Sequence, residues 1–247
     1  MICLVLAAGY ATRLYPLTEN YPKPLLDVGG KTILDWLVDD IDGAGCIDEY
    51  VVISNHKFVG HFRNWAAGKK QKMVVVDDGT LTNGTRLGAV RDIQFAIDSL
   101  ALDDDMLVIA GDNVLDFSLQ SFVLYSKQKG TSCIMRYYEP DERRLNKCGV
   151  VTVDADDRIT SMEESRLHRR AIGAVLRFIS IRAETLVWCA WQLLKVAVRM
   201  RREVSLHGFP GIQASMPWKC RARAMTSAIL KATTGLKPYT KALYGDS

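Results

Sequence analysis

A loop of small residues after an apolar run is the segment of this sequence with the clearest capacity for chemistry. Residues 6–13 read LAAGYATR, and residues 21–24 read YPKP. Gly9 allows a ligand to approach the backbone closely, and free amides in such a loop can bind anions. Arg13 offers a planar fork of donors to phosphate oxygens, whereas Lys23, held between two prolines, offers a point charge. These residue types at this spacing predict a site for a phosphorylated ligand.

A second polar group follows another apolar run. Residues 106–110 read MLVIA, and Gly111, Asp112 and Asn113 come directly after them. Mg²⁺ prefers oxygen ligands and is often held by one or two carboxylates together with phosphate oxygens. Asp112 is therefore a candidate Mg²⁺ ligand. The four histidines show no spacing typical of metal ligands, and we expect them to be solvated or to pack in the core.

Apolar runs and amphipathic segments alternate along the first half of the chain. The pattern predicts strands at 1–6, 50–53, 73–76 and 106–110, and helices at 32–41, 56–66 and 86–100. This alternation is typical of an α/β fold with a parallel sheet and right-handed crossovers. Ligands of such sheets bind beyond the carboxyl ends of the strands. We therefore expect the loops at 7–13, 77–84 and 111–113 to converge on one cleft.

The residues around the first loop resemble the signature of the sugar-1-phosphate nucleotidyltransferases, G-x-G-T-R-x-x-P-x-T-x-x-x-P-K-P. Ala11 replaces the second Gly, and Arg13 and Lys23 stay in register. The resemblance implies a Rossmann-like α/β sheet with flanking helices. It also implies a reaction in which a nucleoside triphosphate and a sugar 1-phosphate give a nucleoside-diphosphate sugar and pyrophosphate.

The resemblance further implies a set of site residues and Mg²⁺ as the cofactor. Arg13 is expected to steady the triphosphate, and Lys23 to stabilise charge on the reacting phosphates, so both are candidate catalytic residues. In the family the Asp at position 112 is one of two metal ligands. The other implied contacts are to the nucleotide, from Leu6, Ala8, Gly9, Asn83, Gly88 and Asp112, and to the sugar, from Gly149 and Glu164.

Besides Ala11, the chain departs from the family pattern in two further places. Gly84 follows Asn83 where relatives carry Glu, and Ser165 and Arg166 stand where the motif E-E-K-P requires Lys and Pro. Strands are predicted at 132–138, 149–153 and 158–162, but the segment from residue 165 has no clean period. We therefore divide the chain into a nucleotidyltransferase core, residues 1–164, and an unassigned and irregular or disrupted segment, residues 165–247.

The charge balance changes sign at the same boundary. Residues 1–164 contain 17 Lys and Arg against 25 Asp and Glu, whereas residues 165–247 contain 15 against 3. A frame displaced by one base restores family motifs: residues 224–231 can be written as codons whose shifted frame encodes Y-D-I-G-N-L-E-S. The Asp in that motif is forced, because Met225 has one codon and Thr codons begin with AC. Adding one A at codons 164–165 also restores E-E-K-P, so we predict that residues 165–247 are out of frame and that the chain as it stands is a defective nucleotidyltransferase.

Composition excludes several classes of protein. With 48% hydrophobic residues the chain can bury a core, and the longest candidate for a membrane span, residues 186–194, is too short to cross a bilayer. We expect no signal peptide, a cytoplasmic location with unpaired cysteines, no membrane partner and no nucleic-acid partner; assembly into a homo-oligomer stays open. Two alternatives also stay open: a cytidylyltransferase acting on phosphocholine or a similar phosphoester, and a non-catalytic protein whose basic tail binds nucleic acid or membrane.

Overall fold

The computed structural model describes residues 1–137, 149–164, 173–181 and 212–214. Four α-helices are found in these residues: α1 (Ile33–Asp42), α2 (Val59–Ala67), α3 (Ala89–Leu100) and α4 (Gln120–Lys129). The strands are β1 (Ile2–Leu6), β2 (Asp27–Val28), β3 (Lys31–Thr32), β4 (Glu49–Ser54), β5 (Met73–Asp77), β6 (Met106–Ala110), β7 (Ser132–Tyr137), β8 (Gly149–Val153), β9 (Ile159–Glu164), β10 (Gly173–Ile181) and β11 (Ile212–Ala214).

The main sheet has the order β11-β7-β10-β6-β1-β4-β5, and a β8–β9 hairpin pairs with it through β10. Strand β1 pairs in parallel with β4 and β6, and β4 pairs in parallel with β5, as the alternation predicted. Strand β10 runs antiparallel to both β6 and β7. The predicted α/β class with a parallel sheet and flanking helices is confirmed.

The central strand β1 is buried on both faces. Cys3 and Val5 belong to the cluster under α1 and α4, whereas Ile2 and Leu4 belong to the cluster under α3. Successive side chains of a strand point to opposite faces of the sheet, so a strand covered on both sides must be apolar throughout. This explains the continuous apolar run in the sequence, and it places the carboxyl end of β1 between its two neighbours.

Most predicted elements agree with the structure to within a few residues. The predicted helix at 86–100 begins instead at Ala89, because Gly88 has a φ of 90° that an α-helix cannot contain. Helix α4 was missed because it buries few residues and carries only a weak amphipathic pattern. Strands β10 and β11 lie after residue 164, where the sequence predicted no element. Strand β10 is formed by antiparallel pairing with β6 and β7, which a local sequence pattern does not report. The rest of the 165–247 segment lies outside the described residues.

Asp35 connects α1 to α2. It accepts the backbone amide of Thr32 at 3.2 Å and donates its own amide to Thr32 Oγ1 at 3.0 Å, which forms a capping box. Its carboxylate also accepts from Trp65 Nε1 at 2.9 Å and pairs with Lys69. Partial burial alone would raise the pKa of Asp35, but the hydrogen bonds from Lys69, Thr32 and Trp65 outweigh it and hold the pKa below its usual value.

Asp35→Ala is expected to lower the free energy of unfolding by about 2 kcal/mol at neutral pH, because the side-chain half of the capping box and the bonds to Trp65 and Lys69 are lost. A carboxylate whose pKa is lowered by folding stabilises the fold above its unfolded pKa, and that contribution disappears as the pH falls through the folded pKa. The deficit of the variant should therefore be constant above about pH 5 and shrink below about pH 4.

Urea denaturation at several pH values measures this deficit. Asp39→Ala is the matched control, because Asp39 lies on the same helix and makes an ion pair with Lys31 in which both side chains are about half exposed. Such pairs contribute less than about 1 kcal/mol. Equal losses in both variants, or a deficit for Asp35→Ala that does not change at acidic pH, would contradict the assignment.

Among the described residues, no helix has the length and apolarity that crossing a membrane requires.

Candidate active site

Three loops meet at the carboxyl edge of the sheet. The loop after β1 is tied to both neighbouring strands, because Ala7 N donates to Ile53 O at 2.9 Å and Gly111 N donates to Leu6 O at 3.0 Å. A Cβ atom at Gly111 would lie 2.8 Å from Val5 Cγ1, so the close approach of β1 and β6 requires glycine there. The predicted convergence of these loops is therefore found in the structure.

The first loop offers open backbone to a ligand. Ala8 and Tyr10 are buried, whereas Gly9 is exposed, and a Cβ atom on Gly9 would meet nothing within 4 Å. Asn55 Nδ2 donates to Ala8 O at 3.0 Å and so holds the loop from the side of β4. A rigid loop with free space beside its glycine fits the close approach of a phosphate or a nucleotide.

Ala11 has a left-handed backbone conformation, with a φ of 45°. L-residues adopt it at a cost of roughly 1–2 kcal/mol. This accounts for the Gly at the equivalent position of the signature. The hydroxyl of Thr18 donates to Ala11 O at 2.8 Å and helps to hold this strained turn.

Lys23 and Asp112 form an ion pair across the cleft. Lys23 Nζ lies 3.0 Å from Asp112 Oδ2, and the two side chains are 20% and 34% exposed. The strand pattern predicted that Asp112 lies at this edge and the family resemblance implied that Lys23 acts near the phosphates, but neither predicted the direct contact between them. Arg13 is exposed in the short 3-10 turn Thr12–Leu14, and none of the ion pairs within the described part of the chain involves it. This edge therefore carries the Lys23–Asp112 ion pair, together with an exposed arginine, Arg13, in the loop after β1.

Asp112 fits Mg²⁺ as a single protein ligand, with phosphate oxygens of the substrate as further ligands. The part of the chain that the structure describes contains no group of three or more His, Cys, Asp or Glu side chains that could hold a metal ion. Mg²⁺ is commonly bound by one or two carboxylates plus substrate phosphates, and its ligands are hard oxygens such as those of Asp112. The Lys23 ammonium at Asp112 marks a position where positive charge is favourable.

The loop of residues 79–88, hereafter the 79–88 loop, contains the two residues expected to contact a nucleobase. Asn83 Oδ1 accepts from Arg86 Nη1 at 2.6 Å, so the amide is held by its own loop. Gly88 precedes α3 with a φ of 90°, and a Cβ atom there would meet nothing within 4 Å. Tyr10 joins this loop to the first one, since its hydroxyl donates to Thr80 O at 3.0 Å.

The two residues expected on the sugar side lie in the β8–β9 hairpin. Gly149 pairs with Glu164 in the antiparallel register of this hairpin, and β8 also pairs with the first residues of β10.

Leu6, the remaining predicted nucleotide contact, is the last residue of β1. The structure thus brings Leu6, Ala8, Gly9, Arg13, Lys23 and Asp112 to one edge of the central sheet.

Two groups at this edge were missed by sequence reasoning. His56 Nδ1 lies 2.6 Å from Asp77 Oδ2, and the hydrogen bond holds the pKa of Asp77 below its usual value although burial alone would raise it. Asp78 and Asp92 are buried carboxylates at the two ends of the 79–88 loop. The sequence could have pointed to His56, Asp77 and Asp78, because all three follow predicted strands at the same edge. Asp92 lies inside the predicted helix at 86–100 and had no such pattern.

Comparisons with known proteins agree with this geometry. The sequence profile of the nucleotidyl transferase family matches residues 2–170. Two solved structures share the fold: a Bacillus anthracis protein described as a glucose-1-phosphate thymidylyltransferase, with a TM-score of 0.68 and 17% identity over 88% of both chains, and an apo UDP-glucose pyrophosphorylase, with a TM-score of 0.65 and 16% identity over 87% of this chain and 89% of the other.

Curated relatives match the same part of the chain. The bifunctional protein GlmU of Methanococcus aeolicus is 32% identical over 166 residues, which are 66% of this chain and 36% of that protein. The glucose-1-phosphate adenylyltransferase of Clostridium novyi is 25% identical over 177 residues, which are 66% of this chain and 46% of that protein. The matched segment therefore spans less than half the length of these two relatives. Since the family profile covers well over half of the chain, the protein belongs to the nucleotidyl transferase family.

Proposed function

We propose that the chain joins a nucleoside triphosphate to a sugar 1-phosphate, giving a nucleoside-diphosphate sugar and pyrophosphate. The observation that carries the proposal is the Lys23–Asp112 pair beside the open backbone of Gly9. Relatives named for adenylyl transfer to glucose 1-phosphate support this choice of acceptor. The unpaired cysteines Cys3, Cys46 and Cys133 fit a reducing compartment, so we place the reaction in the cytoplasm.

The proposed reaction is an in-line displacement. An oxygen of the sugar phosphate forms a bond to the α-phosphorus, while the bond from that phosphorus to the bridging oxygen breaks and pyrophosphate leaves. Such reactions depend mainly on positioning and on neutralising the phosphates. The Gly9 loop binds the nucleotide through its backbone, Arg13 grips the triphosphate, and Lys23 stabilises charge on the reacting phosphates. Mg²⁺ bound at Asp112 supplies further positive charge.

The remaining assignments concern selectivity. Asn83 and Gly88 contact the nucleobase, and Leu6 and Ala8 line the nucleotide cleft. Gly149 and Glu164 contact the sugar from the β8–β9 hairpin. Pyrophosphate release with a panel of nucleoside triphosphates tests the reaction when hexose 1-phosphates and phosphocholine are offered separately. If pyrophosphate is released with phosphocholine but not with any hexose 1-phosphate, the acceptor is phosphocholine and the sugar assignment is wrong.

Arg13→Ala is expected to weaken triphosphate binding by about 1.5–3 kcal/mol, the range for a hydrogen bond to a charged group. Calorimetric titration with nucleoside triphosphate and Mg²⁺ measures the loss, with the chain whose reading frame is restored at codons 164–165 as the parent. Arg13→Lys keeps the charge but removes the planar fork, so it should recover only part of the affinity.

Lys127→Ala is the matched control for Arg13. Lys127 is exposed near the end of α4 and acts electrostatically on Asp48, which lies at the amino end of the sheet, opposite the cleft. Its removal takes away the same charge and should leave affinity unchanged. If Arg13→Ala binds triphosphate as tightly as the Lys127 variant, Arg13 does not contact the nucleotide.

A further inference from the structure

Two buried carboxylates stand at the ends of the 79–88 loop. Asp78 directly follows β5 and is 7% exposed, and Asp92 lies in the first turn of α3 and is 6% exposed. Within the described part of the chain, Asp78 Oδ2 and Asp92 Oδ1 are buried without a hydrogen-bond partner. A buried carboxylate oxygen that lacks a donor is costly, and two negative charges in the same region increase that cost.

The surroundings of the pair favour a proton. Burial, together with the Asp78 carboxylate, raises the pKa of Asp92 to about 7. Burial also raises the pKa of Asp78, against the hydrogen bonds from Thr80 and with a smaller contribution from Asp77. Each carboxylate thus holds a proton more tightly than a solvated Asp does.

The elements packed against α3 bring no cation to the pair. Helix α3 packs on β1 and β4. Strand β1 carries Cys3 as its titratable residue, and β4 carries Glu49 and Tyr50 at its amino end. Two arginines, Arg86 in the loop and Arg91 in α3, are exposed.

The loop is fastened to the rest of the protein mainly through Thr80. Thr80 O accepts from Tyr10 Oη and from His56 N, each at 3.0 Å. Thr80 N and Oγ1 both donate to Asp78 Oδ1 at 2.7 Å. Residues 81–86 are exposed, and their hydrogen bonds, such as those between Thr82 and Thr85, stay within the loop. The position of Asp78 therefore controls how the loop docks.

We propose that Asp92 is a positioning residue for nucleotide binding, and that the proton it keeps in the same buried region as Asp78 holds the 79–88 loop docked on Tyr10 and His56. This inference rests on the proposed function, because the docked loop lines the nucleotide cleft only if the cleft binds a nucleotide. When the proton leaves to solvent, two negative charges are buried together. Undocking of the loop relieves their repulsion by letting one carboxylate reach water.

The sign of the pH dependence follows from the two states. In the docked loop the pair keeps its proton up to about pH 7, whereas a solvated Asp releases it near pH 4. Between these pH values, undocking of the loop releases one proton. The equilibrium constant for undocking therefore increases by up to about tenfold per pH unit and becomes constant above about pH 7.

Hydrogen exchange on the full chain without nucleotide tests the docking. The backbone amides of His56 and Thr80 report docking, because they donate to Thr80 O and to Asp78 Oδ1. Their protection factors, corrected for intrinsic exchange, should fall by up to about tenfold per unit from pH 5 to pH 7 and then become constant. Asp92→Asn, which mimics the protonated acid, should remove most of this slope and leave only the smaller one that burial of Asp78 contributes. Asp98→Asn, an exposed position on α3, should behave as the unchanged chain does.

A flat profile in the unchanged chain overturns the proposal, whether or not the Asp92 variant folds. An unaltered slope in a folded Asp92→Asn variant overturns it as well. Triphosphate affinity is measured separately in the unchanged chain and in Asp92→Asn. Because the ligand itself titrates in this range, the two proteins are compared at each pH, and the affinity of the unchanged chain relative to the variant should fall from pH 5.5 to pH 7.5. If exchange follows the expected pattern but no triphosphate binds at any pH, the proton-linked docking stands and the proposed function fails.

Discussion

Restoring one A at codons 164–165 is expected to raise pyrophosphate release from a nucleoside triphosphate and a hexose 1-phosphate by at least about 100-fold over the chain as it stands. The restored frame returns Lys and Pro after Glu164, and it returns a Y-D-I-G motif whose Asp is, by family resemblance, the second metal ligand. Loss of a group that stabilises charge in the transition state costs about 10²–10³-fold in rate, so its return should have an effect of this size.

Two controls make this experiment decisive. Changing the Asp of the restored Y-D-I-G motif to Asn should return the activity to the low level, which separates regained chemistry from regained solubility. Sequencing the DNA across codons 163–166 identifies the run of A in which a base is expected to be missing. Comparable activity of the unrestored and restored chains would contradict the frame hypothesis and favour the alternative of a functional basic tail.

Asp112→Asn in the restored chain is expected to reduce turnover by about 10³-fold while leaving the fold intact. The amide keeps the size of the side chain but loses the negative charge that holds Lys23 at 3.0 Å and that suits Mg²⁺. The reacting phosphates would then lose much of their charge neutralisation. Steady-state pyrophosphate release measures turnover, and circular dichroism with thermal unfolding measures the fold.

Asp116→Asn is the matched control, because Asp116 is exposed in the same connection between β6 and α4. Its replacement should leave both turnover and the Mg²⁺ concentration for half-maximal rate unchanged. The Asp112 variant should instead require more Mg²⁺ if any rate remains. Normal turnover with normal Mg²⁺ dependence in Asp112→Asn would show that another residue holds the ion.

The sequence by itself determined the parallel core of this protein. The apolar run of β1 and the alternation with the stripes of α1 and α3 have one compact solution, a sheet covered on both faces. From this the sequence also determined that the loops after β1, β5 and β6 share one edge. The candidate residues Gly9 and Asp112 could be placed together because the carboxyl ends of parallel strands meet at one edge, whereas Lys23 was found from the spacing of the signature.

Contacts between residues far apart in sequence were decided only by the tertiary structure. The 3.0 Å pair of Lys23 and Asp112 depends on the order β6-β1-β4, which no local pattern contains. The start of α3 depends on the backbone angle of Gly88, and the burial of Asp92 depends on the face that α3 turns to the sheet. Sequence patterns report local conformation and average burial. Shifts of pKa, buried oxygens that lack a hydrogen-bond donor, and ion pairs arise instead from the distances that packing creates.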